Sequence, residues 1–136
     1  MFADRARICG VLCLLLVPAA GDAHHSFAAE FDASRPVKLT GTISRVEWLN
    51  PHAWVYLDVT DSDGKKATWG CEMGSPNGLM RQGWTRQSLK IGDAVTIEGF
   101  RAKDNTTTAN SRSVVLANGQ RLFAGSSQIT SQTAAP

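Results

Sequence analysis

Long apolar runs are missing from this sequence. The longest is "VLCLLLV", Val11 to Val17, and a helix that spans a bilayer needs about 20 apolar residues. No permanent membrane anchor is expected. Concentrated positive charge is missing too. The formal net charge is +2 and the lysines and arginines are scattered, unlike the basic stripe of a nucleic-acid binder. There is no CxxC, no HExxH and no EF-hand loop, so the usual zinc and calcium sites are excluded. "GSPNGL" has neither the lysine nor the full spacing of a phosphate-binding loop. Histidine is scarce, with three in the chain, His24, His25 and His52. None of them falls into a Ser-His-acid set, which argues against hydrolase chemistry. No internal repeat is visible.

What is present at the N-terminus has the three-part plan of a secretory signal peptide. Arg5 and Arg7 precede the apolar run, and small residues follow it in "PAAGDA". Gly21 and Ala23 suit the −3 and −1 positions of a cut after Ala23. A cut after Ala19 is the alternative. Removing residues 1–23 from 136 leaves 113 and keeps the net charge at +2, since Asp4, Arg5, Arg7 and Asp22 go together. The expected destination is the periplasm. Cys9 and Cys13 leave with the leader, so Cys71 remains alone and no internal disulfide is expected in an oxidising compartment. A small buried apolar role is the simplest reading of it.

The rest of the chain reads as all-β. Residues 24–36 form an N-terminal arm that Phe27 and Phe31 could pin down. Val37, Leu39, Gly41 and Ile43 alternate as one face of a first strand. "LNPH" breaks it. Ala53, Val55, Leu57 and Val59 then point one way, and His52, Trp54, Tyr56 and Asp58 the other. "DSDG" is a hairpin turn. A third strand has Ala67, Trp69, Cys71 and Met73 on one side and Thr68, Gly70 and Glu72 on the other. Ser75 and Pro76 start a short helix. Val95, Ile97 and Gly99 mark a fourth strand, residues 101–111 a loop, and "RSVVLANGQRLF" a fifth strand ending in an Asn-Gly turn. The tail from residue 125 is polar and expected to be disordered. Five strands with a helix between the third and fourth is the order of an OB-fold, a Greek-key barrel of one domain over residues 37–124. A small β-sandwich is the alternative.

Two constellations carry chemistry. The first is rich in nitrogen. A mature chain that starts at His24 offers its α-amino group and its imidazole to one metal ion. A further imidazole completes a T-shaped three-nitrogen set that suits Cu(II), and the α-amine loses its proton readily near neutral pH. Side chains diverge along an extended arm, so His52 is the better third ligand and His25 an assistant. Glu72, Cys71 or Met73 are candidates for an outer ligand, the sulfurs suiting Cu(I). The plain alternative is that His24-His25 is a polar chain start and His52 a hydrogen-bonding group at a strand end. The second constellation is aromatic. Trp48, Trp54 and Tyr56 lie near His52 and could form a stacking platform for a small molecule, or could pack beneath the arm or the helix.

The stretches "AHHSFAAEFD", "GTISRVEWLNPHAWVYLDV", "GSPNGLMRQGW", "LKIGDAVTIEGFRAKD" and "LANGQRLFAG" together resemble a family of small exported proteins of Gram-negative bacteria, classed as a domain of unknown function. Its members open with His-His-Ser after the signal peptide and carry Asn-Pro-His on the way into a strand. The resemblance covers nearly all of residues 23–127. The matching positions are His24, His25, Ser26, Asn50, Pro51, His52, Glu72, Ser75, Pro76, Gly83 and Trp84. The resemblance implies an exported OB-like domain and no established activity. The family usually has an apolar residue at the place of Cys71, which favours Glu72 as the outer group.

The expectation is therefore an exported binding protein that holds copper through His24 and His52, with His25 and Glu72 assisting, as a carrier, buffer or sensor. The alternative is a module that binds a small molecule or an envelope protein through Trp48, Trp54 and Tyr56. A copper-dependent oxidase is a third reading, set back by the small area available for a broad substrate.

Overall fold

The computed structural model describes residues 26–125. The expected signal peptide, His24, His25 and the tail beyond residue 125 lie outside them. The chain is mostly β. After a single helical turn α1 (Phe27–Glu30), the elements are β1 (Phe31–Glu47), β2 (Trp54–Thr60), β3 (Lys66–Glu72), helix α2 (Pro76–Arg81), β4 (Ala94–Ala102), β5 (Thr108–Leu116) and β6 (Arg121–Phe123).

All six strands belong to one sheet of order β3-β2-β1-β4-β5-β6, and β3 also pairs with β5. The pairings thus run β1–β2–β3–β5–β4 and return to β1. All are antiparallel except β3–β5, which is parallel at Gly70–Thr108, Cys71–Ala109 and Glu72–Asn110.

β1 makes this possible because it is 17 residues long. Its first half pairs with β4, from Phe31↔Ala102 to Thr42↔Ala94, and its second half with β2, from Gly41↔Val59 to Glu47↔Trp54. At the crossover the backbones press together. A Cβ on Gly41 would sit 2.2 Å from the carbonyl oxygen of Asp58, so only glycine fits there.

Three boundaries differ from the sequence reading. β1 starts at Phe31, inside the segment expected to be an arm. β5 starts at Thr108, inside the segment expected to be a loop. The Asn118-Gly119 turn is followed by a sixth strand, where five were expected. The reason is common to the first two. "FDASRP" and "TANS" alternate poorly, and their strand character comes from partners distant in sequence. Ala109, Asn110 and Ser111 are all buried against β4 and β3.

The inward faces of the strands are those expected from period two. Ile43, Val55, Leu57, Cys71, Met73, Ile97 and Val114 are fully buried. Each large apolar side chain removed from water contributes roughly 1.5–3 kcal/mol. α2 joins this core from the β3–β4 connection. The Ser75 hydroxyl accepts from the amide of Gly78 at 3.2 Å and caps it, Pro76 takes the first turn, and Leu79 is wholly buried. Trp84, which follows the helix, is 2% exposed and donates its indole N–H to the carbonyl of Phe123 at 2.7 Å.

Candidate functional site

The outward face of β1–β3 is built in rows by strand register. Glu47 pairs with Trp54, and Trp54 with Glu72. Arg45 pairs with Tyr56, and Tyr56 with Gly70. The register shift between Ile43 and Arg45 lets these polar β1 residues face outward although Ile43 faces the core. Such a bulge re-aims side chains locally, and the Ser44 hydroxyl donates to the carbonyl of Tyr56 across it at 3.2 Å.

In the second row, Arg45 lies over the Tyr56 ring, 3.6 Å from its centroid, and forms a 3.1 Å ion pair with Glu47. The Tyr56 hydroxyl donates to Glu47 at 3.3 Å. Burial first, then the charge of Glu47, raise the Tyr56 phenol above its ordinary value. Trp54 and Tyr56 stack at 6.5 Å between centroids and 24° between planes. Their rings flank Gly70, where a Cβ would meet Tyr56 at 3.5 Å and Trp54 at 3.7 Å. Trp48 is not part of this stack. It is half-buried and packs against the core.

His52 sits at the end of the face. The β2–β3 ladder continues past both strands, with the Met73 amide donating to the Ala53 carbonyl at 2.8 Å and the Ala53 amide to the Gly74 carbonyl at 3.1 Å. That holds His52 beside Met73. The Nδ1 atom of His52 lies 2.9 Å from the Met73 carbonyl oxygen. A carbonyl can only accept, so Nδ1 carries the proton and donates. In the neutral ring the lone pair is then on Nε2, the tautomer in which a metal-binding imidazole is held by its other nitrogen. Glu72 Oε1 is 3.4 Å from the same Nδ1, and its side chain is 12% exposed.

His52 and Glu72 line a cleft of about 350 Å³ together with Glu30, Glu47 and Trp54. Three carboxylates, one imidazole and one indole thus share a concave surface. The sequence reading missed Glu30 and Glu47. Glu47 could have been marked as part of an alternating Arg45-Glu47 pair, but its place beside Trp54 depends on the bulge.

Glu30 arrives from the N-terminal turn. Phe27 stacks on Phe31 at 5.8 Å and meets the edge of Phe100 at 5.6 Å. The Lys103 amide donates to the Glu30 carbonyl at 2.9 Å. This segment is therefore anchored to β4 and the β4–β5 turn, with Glu30 at the cleft. His24 and His25 are joined directly to it through Ser26.

The two sulfur candidates are elsewhere. Cys71 and Met73 point to the opposite side of β3 from Glu72 and are 0% and 1% exposed. Burial pushes the Cys71 thiol up to about 12. Neither sulfur reaches the cleft, which corrects the expectation of either as an outer ligand. Among the described residues, no three His, Cys, Asp or Glu side chains form a group that could hold a metal ion. His52 and Glu72 are a pair that would need further donors.

Fold and site together define a small β protein whose outward strand face ends in a histidine–carboxylate cleft beside its N-terminal segment. The chain belongs to a family of unknown function, DUF6152, whose model matches residues 12–111. No curated protein and no solved structure matches the chain. Among the described residues no helix is long and apolar enough to cross a membrane.

Proposed function

We propose that this protein is an exported, periplasmic copper-binding protein with an OB-like Greek-key barrel, acting as a carrier, buffer or sensor of the ion. The closed run of strand pairings, with α2 between β3 and β4, supports the barrel reading. The donor set is the α-amine and imidazole of His24 with Nε2 of His52, assisted by His25 and by the carboxylate of Glu72.

The observation that carries this reading is the convergence of His52 and the N-terminal segment on one cleft. Glu30 lines that cleft with His52, and His24 and His25 lie just upstream of the same anchored turn. The bond from Nδ1 to Met73 supports it further, because it leaves Nε2 as the coordinating atom. A set of three nitrogen donors would suit tetragonal Cu(II).

The test is a competition titration of the exported protein with Cu(II) against a chromophoric chelator. His52→Ala should lose most of the affinity while its circular dichroism stays unchanged. Equal affinity in the variant and the wild type rejects the reading.

A second reading is favoured by the Trp54–Tyr56 stack. In it the face binds a flat small molecule or an envelope protein without metal. Tryptophan quenching by such a ligand in the presence of excess chelator would select that reading.

A further inference from the structure

We infer that the cleft beside Trp54 takes a small organic cation, a guanidinium group on an apolar stem. The inference rests on the second, metal-free reading of this face and adds the chemical class of its ligand.

The chain already shows this mode of recognition once. Arg45 lays its guanidinium over the Tyr56 ring, 3.6 Å from the centroid, and pairs with Glu47 at 3.1 Å. A planar guanidinium stacks on an aromatic face and gives its N–H groups to a carboxylate. Strand register sets the same parts around Trp54. Its neighbour on β1 is Glu47 and its neighbour on β3 is Glu72. Trp54 stacks with Tyr56 and also lines the cleft. An indole between two carboxylates thus repeats what Tyr56 and Glu47 offer Arg45, and no lysine or arginine is among the described residues that line the cleft.

The spread of the charges decides the kind of cation. Glu30, Glu47 and Glu72 all line the cleft. Yet among the described residues no three His, Cys, Asp or Glu side chains form a group that could hold a metal ion. A guanidinium spreads its charge and its five N–H donors over a plane, so it meets separated carboxylates that a point charge cannot. Leu49 is 62% exposed and lines the same cleft with Pro51, an apolar wall for the stem. The cleft holds about 350 Å³, within the range of small-molecule sites.

The row of the cleft contains one more acceptor. Asn110 pairs with Glu72 in parallel register. Cys71 and Ala109, the pair before them, both lie in the core, so alternation puts Asn110 on the outward face with Glu72. Asn110 is 4% exposed, and its side-chain oxygen is buried with no hydrogen-bond partner among the described residues. A buried acceptor without a donor is costly. A ligand that brings N–H groups to Glu72 brings donors to this end of the row.

The experiment uses the full exported chain, isotopically labelled, in excess chelator. The indole N–H signal of Trp54, assigned by its loss in Trp54→Phe, is followed by NMR during titration. The probes are phenylguanidinium and phenylurea, which share a flat shape and differ in charge. Phenylguanidinium should bind roughly tenfold or more tightly than phenylurea, and added salt should narrow the gap. Equal affinity for the two overturns the inference and leaves the metal-free reading standing. No shift with either overturns the inference and the small-molecule form of that reading together. Glu72→Gln and Glu47→Gln should each weaken phenylguanidinium and leave phenylurea as it was. Glu98→Gln, which removes the same charge on a different part of the sheet, should bind both probes as the wild type does. An unchanged phenylguanidinium affinity in both cleft variants, or an equal loss in Glu98→Gln, would overturn the assignment to this cleft.

Discussion

His52 is bonded to the backbone of Met73 and not to its sulfur: Nδ1 donates to the Met73 carbonyl at 2.9 Å, while the Met73 side chain is buried in the core. One residue thus serves two sides of β3. Its thioether fills the interior and its carbonyl orients the imidazole on the outside. Glu72, at 3.4 Å from the same nitrogen, adds a carboxylate on that side of the ring.

On the proposed copper reading, this arrangement predicts that Glu72 acts on the ion largely through His52. Partners that orient a liganding histidine typically contribute 10–100-fold to metal affinity. Glu72→Gln should therefore lower Cu(II) affinity by roughly 10–100-fold, and His52→Ala by more. Competition titrations on both variants check the order. A Glu72→Gln protein weaker than His52→Ala would make Glu72 the principal ligand.

Cys71 should be chemically silent in the folded protein. It is 0% exposed, and burial pushes its thiol up to about 12. The thiolate is the reactive form, so iodoacetamide at mildly alkaline pH should leave Cys71 unmodified in the native protein and label it in guanidinium. Labelling of the native protein at the unfolded rate would place Cys71 at the surface.

Much of the strand pattern was legible because alternation reports burial directly. Val55 and Leu57, or Ile97 with Val95, declare their inward face without any knowledge of partners. What was not legible depends on contacts between distant segments. Phe31 to Pro36 carries a proline and short polar residues, and becomes strand only because β4 lies alongside. Asn110 and Ser111 are polar and yet buried, held between β3 and β4. The site divides in the same way. His52 and Glu72 could be named from chemistry, but the Met73 carbonyl belongs to a cross-strand ladder. Glu47 needed the bulge at Ser44, and Glu30 needed the anchored N-terminal turn. Beyond the bulge, ordinary alternation sets Glu47, which faces outward, against Trp48, which packs inward.

Gly99 in β4 should tolerate no side chain. A Cβ there would fall 1.9 Å from the backbone oxygen of Asn110, and backbone cannot swing aside as a side chain can. Overpacking of this kind costs about 1–3 kcal/mol or more. Gly99→Ala should shift the urea midpoint downward by a corresponding amount, with the slope of the transition unchanged. A wild-type midpoint would show that the strands are further apart than described.

Glu98 should contribute stability that disappears in acid. Its carboxylate accepts from the Arg121 guanidinium, chiefly, and from the Ser113 hydroxyl at 3.3 Å, and these hold it below the ordinary glutamate value of 4.5. A carboxylate with a lowered folded-state value stabilises the fold above its unfolded value. It loses that contribution as pH falls through the folded one. The melting temperature of Glu98→Gln should lie below the wild type at neutral pH, and the two should converge below the carboxylate range. The gap should be small, because solvent screens this exposed group. A gap that widens in acid would reverse the assignment.

The central claim is that the N-terminal histidine of the exported chain and His52 share one copper ion. The most direct measurement is the intact mass of the protein from the periplasm, denatured and native, with one equivalent of Cu(II) and a weak chelator. The account predicts a chain that starts at His24 and keeps one copper in the native spectrum. A chain that starts at Ala20, or a native spectrum without copper, would contradict it and turn attention to the Trp54–Tyr56 face.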